Sequence, residues 1–329
     1  MKKIGIIYDL KENYSISAEN LDYCDFTYLS DVEYIKEQLE IGGYETELIG
    51  SPQTFFEMVQ DGKCRDFHLI YNMVEGFDSR NREGLLPAFC EIFNIPCIGS
   101  DAFGVSFTNH KFQTKRFASY FNLTTPESGL FDERIGERKN PSSWIRQNNF
   151  RYPLVVKPNR EGSSMGIRLV FHQEELEQAI DELIRLYRQE ILIEQYIEGA
   201  DVMSFVIGTT DDAQVYPLVE IAKEDGSHYP LWDAQSKITA TNFMPPRISP
   251  ASEEIIKKQS MLLHKALGLY DISRIDWKIA ADGTPYFLES TPLPSLCANG
   301  SFGFCAKFAG LSFFQLFEKI IQSAERRLY

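Results

Sequence analysis

Lys157-Pro158-Asn159-Arg160-Glu161-Gly162-Ser163-Ser164-Met165-Gly166 is the stretch that decides how this chain folds. An apolar run, Pro153 to Lys157, reads as a strand that ends on a lysine and feeds a loop of small residues. Gly162 and Gly166 let the backbone approach a bound group closely, Ser163 and Ser164 add hydroxyl donors, and Lys157 adds positive charge. Such a loop suits a phosphate, although alone it also fits a plain turn. Ile167 to Phe171 reads as a returning strand, so the unit is strand, glycine loop, strand. That differs from the strand-to-helix phosphate loop of the Walker type.

Outward from this loop the chain organises into modules. At 329 residues it exceeds what one core usually holds, so two or three packed units are expected. Upstream, Lys3–Tyr8, Glu45–Ile49 and Phe67–Met73 read as strands and Leu85–Phe93 as a helix, with a short strand at 96–98. Ser30 and Glu33 form a capping-box signature before Val32, Ile35 and Leu39, and Gly42-Gly43 end that helix. This alternation predicts a parallel sheet with helices on its faces. Thr108 to Phe121 reads as one helix, broken at Thr125-Pro126. Downstream come a helix over 174–189, strands at 190–195, 203–207, 215–220, 273–280 and 285–289, and a helix that Ser249-Pro250 starts and Gly268 stops.

Two strand candidates at the C-terminal end carry charge. Arg274-Ile275-Asp276-Trp277 and Tyr286-Phe287-Leu288-Glu289 flank the turn Ala281-Asp282-Gly283-Thr284, so a hairpin would set Asp276 beside Glu289. Two hard carboxylates near phosphates suit Mg²⁺, which draws its other ligands from water and nucleotide. Arg274 shares the face of Asp276 by strand alternation and would stabilise charge developing on a tetrahedral intermediate. The same hairpin also fits a solvated salt-bridged surface, and Lys111, a second candidate cation, also fits an exposed structural lysine.

Taken together, these residues resemble the ATP-grasp family and, within it, the D-alanine-D-alanine ligases, most clearly over 72–314. The elements that carry the resemblance are Lys111, Lys157 with the loop Arg160 to Gly166, the segment Ile193-Glu194-Gln195-Tyr196-Ile197-Glu198-Gly199, and Arg274-Ile275-Asp276 with Glu289. The resemblance implies an α/β fold of three modules. An N-terminal parallel-sheet domain at 1–103 would be followed by two α+β lobes clasping ATP, at 104–193 and 194–329. It implies that Glu194, Gln195, Tyr196 and Ile197 hold adenine, that Asp201 reaches the ribose, and that Lys111 and Lys157 contact the phosphates. Ser163, Ser164 and Met165 would lie in the lid loop. Asp276, Glu289 and Thr291 would bind one or two Mg²⁺ ions, with Mn²⁺ as an alternative. The implied reaction is phosphorylation of a carboxylate by ATP, attack of an amine on the acyl phosphate, and collapse to an amide. Arg274, Ser163 and Lys237 would serve catalysis. No nucleophilic triad is then needed, and the five histidines lack the spacing for one.

Departures from the family pattern fall on amino-acid recognition. Thr291 stands where the ligases carry asparagine in Glu-x-Asn-x-x-Pro-Gly, and Ser295 stands where they carry glycine. The N-terminal glycine-rich turn, with its glutamate for an amine, is replaced by Asp9-Leu10-Lys11-Glu12-Asn13-Tyr14. Asp9 or Glu12 could substitute for that glutamate, and each also reads as a surface charge. Asn72 to Gly76 with Arg82-Glu83-Gly84 replaces the histidine-glycine and glutamate-aspartate-glycine motif. In the lid region, Trp232 to Lys237 replaces a tyrosine-glutamate-alanine-lysine-tyrosine run, and the resemblance implies that Lys237 would take over the lysine's phosphate contact one or two positions later. The expected activity is therefore a carboxylate-amine ligase whose pair is not two D-alanines. The alternatives are a cell-wall D-alanine-D-alanine ligase and a nucleotide-binding homologue without turnover.

The resemblance implies small carboxylate and amine substrates as partners, with a homodimer as the candidate assembly. The formal charge of −14 opposes nucleic-acid binding. No apolar run reaches a membrane-spanning length and Met1–Tyr8 is too short for a signal core, so no membrane partner and a cytoplasmic location are expected. Six cysteines without a C-x-x-C pair are expected to be reduced and mostly buried.

Overall fold

The computed structural model describes residues 1–16, 26–132, 141–209, 211–233 and 236–329. Its first sheet is parallel, with strand order β2-β1-β3-β4, from β1 (Lys3–Tyr8), β2 (Glu45–Gly50), β3 (Leu69–Met73) and β4 (Cys97–Ile98). Helices α1 (Leu29–Ile41), α2 (Pro52–Gln60) and α3 (Leu85–Phe93) connect the strands. The helix expected over 108–121 is two helices, α4 (Ala102–Asn109) and α5 (Lys111–Tyr120), because His110 leaves the helical region at ψ 84°. Its Nδ1 instead accepts the N–H of Gln113 at 3.3 Å, so the break becomes the cap of α5.

A second sheet, β5-β8-β6-β7, is antiparallel and comprises β5 (Ser128–Phe131), β6 (Leu154–Pro158), β7 (Arg168–Val170) and β8 (Ile191–Gln195). Helices α6 (Pro141–Gln147) and α7 (Gln173–Tyr187) accompany it, and Leu176, Ile180 and Leu183 of α7 pack with Leu154, Val156 and Ile193. The third sheet runs β12-β11-β9-β13-β14, with β10 beside β9. Its strands are β9 (Gly199–Ile207), β10 (Gln214–Val215), β11 (Val219–Ala222), β12 (Thr241–Phe243), β13 (Ile272–Ala280) and β14 (Pro285–Thr291). The single strand expected over 215–220 is divided because Pro217 has no N–H to donate. Helices α8 (Ser236–Thr239), α9 (Pro250–Ala266), α10 (Ser301–Phe308) and α11 (Phe313–Leu328) complete the chain.

Helix α11 joins the first sheet to the third. Leu316, Phe317, Ile320 and Ile321 share one core with Ile4, Ile6, Leu69 and Tyr71 on one side and Met203, Phe205 and Ile207 on the other. The capping box expected at Ser30 does not form. The helix starts two residues earlier, where the Tyr28 carbonyl accepts the N–H groups of Asp31 and Val32 at 2.9 and 3.2 Å, leaving Ser30 inside the first turn. Of the described cysteines, Cys64, Cys90 and Cys305 are buried while Cys97 and Cys297 are half-buried; all five are free thiols, and Cys24 lies outside the described residues.

Candidate active site

Strand β6 delivers Lys157 to the mouth of the 159–166 loop, and the loop's backbone is special where the sequence is rich in small residues. Ser163, Ser164 and Gly166 have φ of 46°, 62° and 68°. Left-handed conformation at two serines is costly and concentrates at functional sites. The turn is held by the Met165 N–H to the Gly162 carbonyl at 2.9 Å. Asn159, fully buried, anchors its start. Its Oδ1 accepts the Phe112 N–H at 3.0 Å and its carbonyl accepts the Lys111 N–H at 3.2 Å, satisfying two orphan donors of α5. Lys111 is thereby fixed beside the loop, and its Nζ donates to the Glu161 carbonyl.

The hairpin forms as expected, with β13 and β14 antiparallel and Asp276 opposite Glu289. Arg274 grips Asp276 through two bonds of 2.8 Å, and Lys111 Nζ lies 3.4 Å from Glu289. Burial works against charge on Glu289, but Lys111, Lys157 and Arg274 outweigh it and hold its carboxyl at about 2. Glu194 sits between two lysines, Lys115 at 2.9 Å and Lys157 at 2.7 Å. These cations also overcome burial and keep the Glu194 carboxyl below its usual range. Burial would lower Lys157, yet Glu194 and Glu289 raise it. Asp201 is pushed up by burial, against its partner Lys278 at 2.9 Å.

Two cavities meet here. The first is lined by Lys111, Lys157, Ser164, Met165, Glu194, Gln195, Tyr196, Ile197, Asp201, Asp276 and Glu289, with Ile167, Trp232 and Leu288 as apolar walls. The second, of about 550 Å³, is lined by Ser163, Arg274, Thr291 and Ser295 and shares Lys111 and Glu289 with the first. Lys237 falls in α8, and its side chain lies outside the described residues, as do Ala234 and Gln235. The substitutes considered for the missing N-terminal glutamate separate. Glu12 is exposed, whereas Asp9, one of the two surface-charge readings, is fully buried. Asp9 accepts the N–H groups of Glu75 and Gly76 at 3.0 and 2.8 Å and the Tyr14 hydroxyl at 2.9 Å, which is why it can be buried.

Sequence reasoning passed over Lys115 and Lys278 and named Trp232 only as part of the altered lid run. For Lys115 a signal exists, since Lys111 and Lys115 are four residues apart on one helix and share a face. Among the described residues no cluster of three or more His, Cys, Asp or Glu forms a metal cage. The paired carboxylates of Asp276 and Glu289 do fit Mg²⁺, which needs one or two such ligands beside phosphates.

A parallel N-terminal sheet, two antiparallel sheets and a lysine-rich cleft between them define an ATP-grasp ligase, an enzyme that forms C–N bonds. Residues 129–322 match the family described as D-ala D-ala ligase C-terminus. A D-alanine–D-alanine ligase of Carboxydothermus hydrogenoformans is 33% identical over 245 residues, covering 73% of this chain and 76% of that one. One from Desulforamulus reducens is 28% identical over 274 residues, covering 82% and 85%. The crystal structure of the D-alanine–D-alanine ligase from Bacillus anthracis superposes with a TM-score of 0.78 at 22% identity, covering 100% of this chain and 99% of that one. The chain belongs to the D-alanine–D-alanine ligase family. No helix among the described residues is long and apolar enough to cross a membrane.

Proposed function

We propose that this protein uses ATP to phosphorylate a carboxylate and then joins it to an amine other than in the pairing of two D-alanines. The junction of the two cavities at Lys111 and Glu289 is the observation that carries the reading, because it gives one place where a nucleotide and a second substrate can meet. In this reading Glu194 to Ile197 and the walls Met165 and Trp232 hold adenine, Asp201 faces the ribose, and Lys111 and Lys157 hold the phosphates. Asp276, Glu289 and Thr291 would hold Mg²⁺, which, when bound, neutralises and orients the phosphates. Modules at 1–103, 104–193 and 194–329 are the units that would close on the nucleotide.

A carboxylate oxygen attacks the terminal phosphorus, the bond to ADP breaks, and an acyl phosphate forms. The amine nitrogen then attacks the acyl carbon, and the tetrahedral intermediate expels phosphate as the nitrogen loses a proton. Arg274, on the wall of the second cavity beside Asp276, stabilises the oxyanion, and Ser163 on the same wall holds the phosphoryl group in place, a role the family resemblance also gives to Lys237. Closure of the 160–166 loop excludes water, which would hydrolyse the acyl phosphate.

The substrate reading rests on three positions. Asp9 is spent on backbone N–H groups, so it does not replace the missing N-terminal glutamate. Thr291 and Ser295 replace asparagine and glycine on the wall of the second cavity. The test is ADP release over pairs of D- and L-amino acids and other carboxylates and amines, with mass spectrometry of the products. Release that requires both a carboxylate and an amine, with a product other than D-alanyl-D-alanine, is expected. D-alanyl-D-alanine as the preferred product would overturn the substrate reading and leave the ATP chemistry standing.

A further inference from the structure

We propose that Lys115 is the permanent counter-ion of Glu194 and that, by neutralising this carboxylate, it frees Lys157 to engage the nucleotide phosphates. The inference rests on the first cavity being the ATP site. Lys115 itself touches neither cavity. It is 1% exposed and lies one turn beyond Lys111 on α5. Its Nζ is 2.9 Å from Glu194 Oε1, donates to the Phe287 carbonyl at 3.2 Å, and lies 5.6 Å from the Phe287 ring centroid. It therefore ties together the helix of Lys111, the strand of Glu194 and the strand of Glu289.

One carboxylate thus serves two ammonium groups, with Lys157 on the other oxygen at 2.7 Å. Lys157 lines the nucleotide cavity; Lys115 does not. When phosphates draw Lys157 away, Glu194 must keep a partner, because it is only 2% exposed. Stripping a buried carboxylate of its sole cation leaves an uncompensated charge away from water, which is strongly unfavourable. With Lys115 in place the carboxylate stays paired and the second lysine is available. Without Lys115, Glu194 would hold Lys157 for itself. Burial presses the Lys115 ammonium down to about 8, opposed by Glu194 on β8 and reinforced by Lys157 on β6, with Glu289 of β14 also raising it. It remains charged at neutral pH. Lys115 is a positioning residue, acting on the nucleotide through Glu194 and Lys157.

The test is calorimetric titration of the full chain with adenylyl imidodiphosphate and Mg²⁺, alongside steady-state kinetics, for Lys115→Met, Lys115→Arg, Glu194→Gln and the double variant Lys115→Met/Glu194→Gln. Lys115→Met is expected to weaken nucleotide binding about 10- to 100-fold, the scale of coupling measured for close charge pairs. ATP KM should rise far more than kcat falls. Lys115→Arg should recover most of the affinity. The double variant should also bind better than Lys115→Met alone, because no carboxylate remains to sequester Lys157. Wild-type affinity in Lys115→Met, or no recovery in the double variant, would overturn the inference. If Lys115→Met does not fold, Glu194→Gln and the double variant should bind nucleotide equally; a further loss in the double would overturn it. A wild-type chain that binds no nucleotide would instead refute the ATP-site reading, a separate result from normal wild-type binding with an unaffected Lys115→Met.

Discussion

Glu289→Gln separates the two jobs assigned to this carboxylate, balancing the site's cations and holding Mg²⁺. Its carboxyl is held at about 2, against 4.5 for a free glutamate. At about 1.36 kcal/mol per tenfold change in proton affinity, the folded site favours the ionised form by about 3 kcal/mol. The group's folded value is depressed, so this contribution is complete above pH 4.5 and is lost as the pH falls towards about 2. The variant should therefore unfold more easily than the wild type at pH 7, by up to about 3 kcal/mol in a denaturant titration, and the gap should close on acidification. Nucleotide binding should move in the opposite sense when metal is absent. Lys111, Lys157 and Arg274 each lose a counter-ion, so metal-free ATP in a chelator should bind the variant at least as tightly as the wild type. Addition of Mg²⁺ should then strengthen binding to the wild type but scarcely to Glu289→Gln. Calorimetry with and without Mg²⁺ reads both effects. Equal Mg²⁺ stimulation in the two proteins would remove Glu289 from the metal site, and a stability gap independent of pH would refute the electrostatic account.

Three further expectations follow from named contacts. At Gly166, φ is 68° and an added Cβ would lie 2.7 Å from Tyr187, 2.8 Å from Pro158 and 2.9 Å from Leu183, so Gly166→Ala should destabilise the fold by about 2–4 kcal/mol and raise ATP KM; unchanged stability in a denaturant titration would contradict that crowding. His264 is fully buried between the Ser273 hydroxyl at 2.8 Å and the Gly208 carbonyl at 3.1 Å, and burial lowers it to about 4. The folded chain keeps it neutral while the unfolded chain protonates it, so stability should drop as pH falls from 6.5 to about 4, by about 3 kcal/mol, and His264→Gln should flatten this limb. Trp232 walls the first cavity and meets Tyr229 edge-on at 5.6 Å, so Trp232→Ala should weaken nucleotide binding about tenfold, or about 1.4 kcal/mol, with kcat little changed; an unaltered ATP KM would place adenine elsewhere.

Local chemistry made much of the fold legible. The apolar run Lys3–Tyr8 reads as a buried strand, and Ala281-Asp282-Gly283-Thr284 between two strand candidates reads as a hairpin turn, so the pairing of Asp276 with Glu289 could be expected without long-range information. What stayed hidden depends on partners distant in sequence. Asp9 is buried because backbone donors 66 and 67 residues away converge on it, and no local pattern announces that. His110 breaks a helix that propensity would continue, because Asn159, 49 residues on, bonds the His110 ring and its carbonyl takes the N–H of the next residue, Lys111. Lys115 could be placed on the face of Lys111 by spacing, but its burial required knowing that Glu194 and the Phe287 carbonyl close over it.

The same contrast bears on which positions of this family member have drifted. Lys111, Lys115, Lys157 and Arg274 are each bound to Glu194, Asp276, Glu289 or a backbone carbonyl of the same cluster, so changing any one removes a charge partner from a neighbour in that cluster. Such a set resists single substitutions, since each loss unbalances charges that are at least partly shielded from water. Ser295 stands outside it, exposed on the rim of the second cavity, and Thr291, on the next outward position of β14 after Glu289, is half-buried. Substitution there would, on the proposed reading, alter what the cavity accepts without unbalancing the charges beneath. On the proposed reading, a cluster held by mutual neutralisation and a cavity wall free of it would account for departures from the family motifs falling at Thr291 and Ser295 rather than among Lys111, Lys157, Arg274, Asp276 and Glu289.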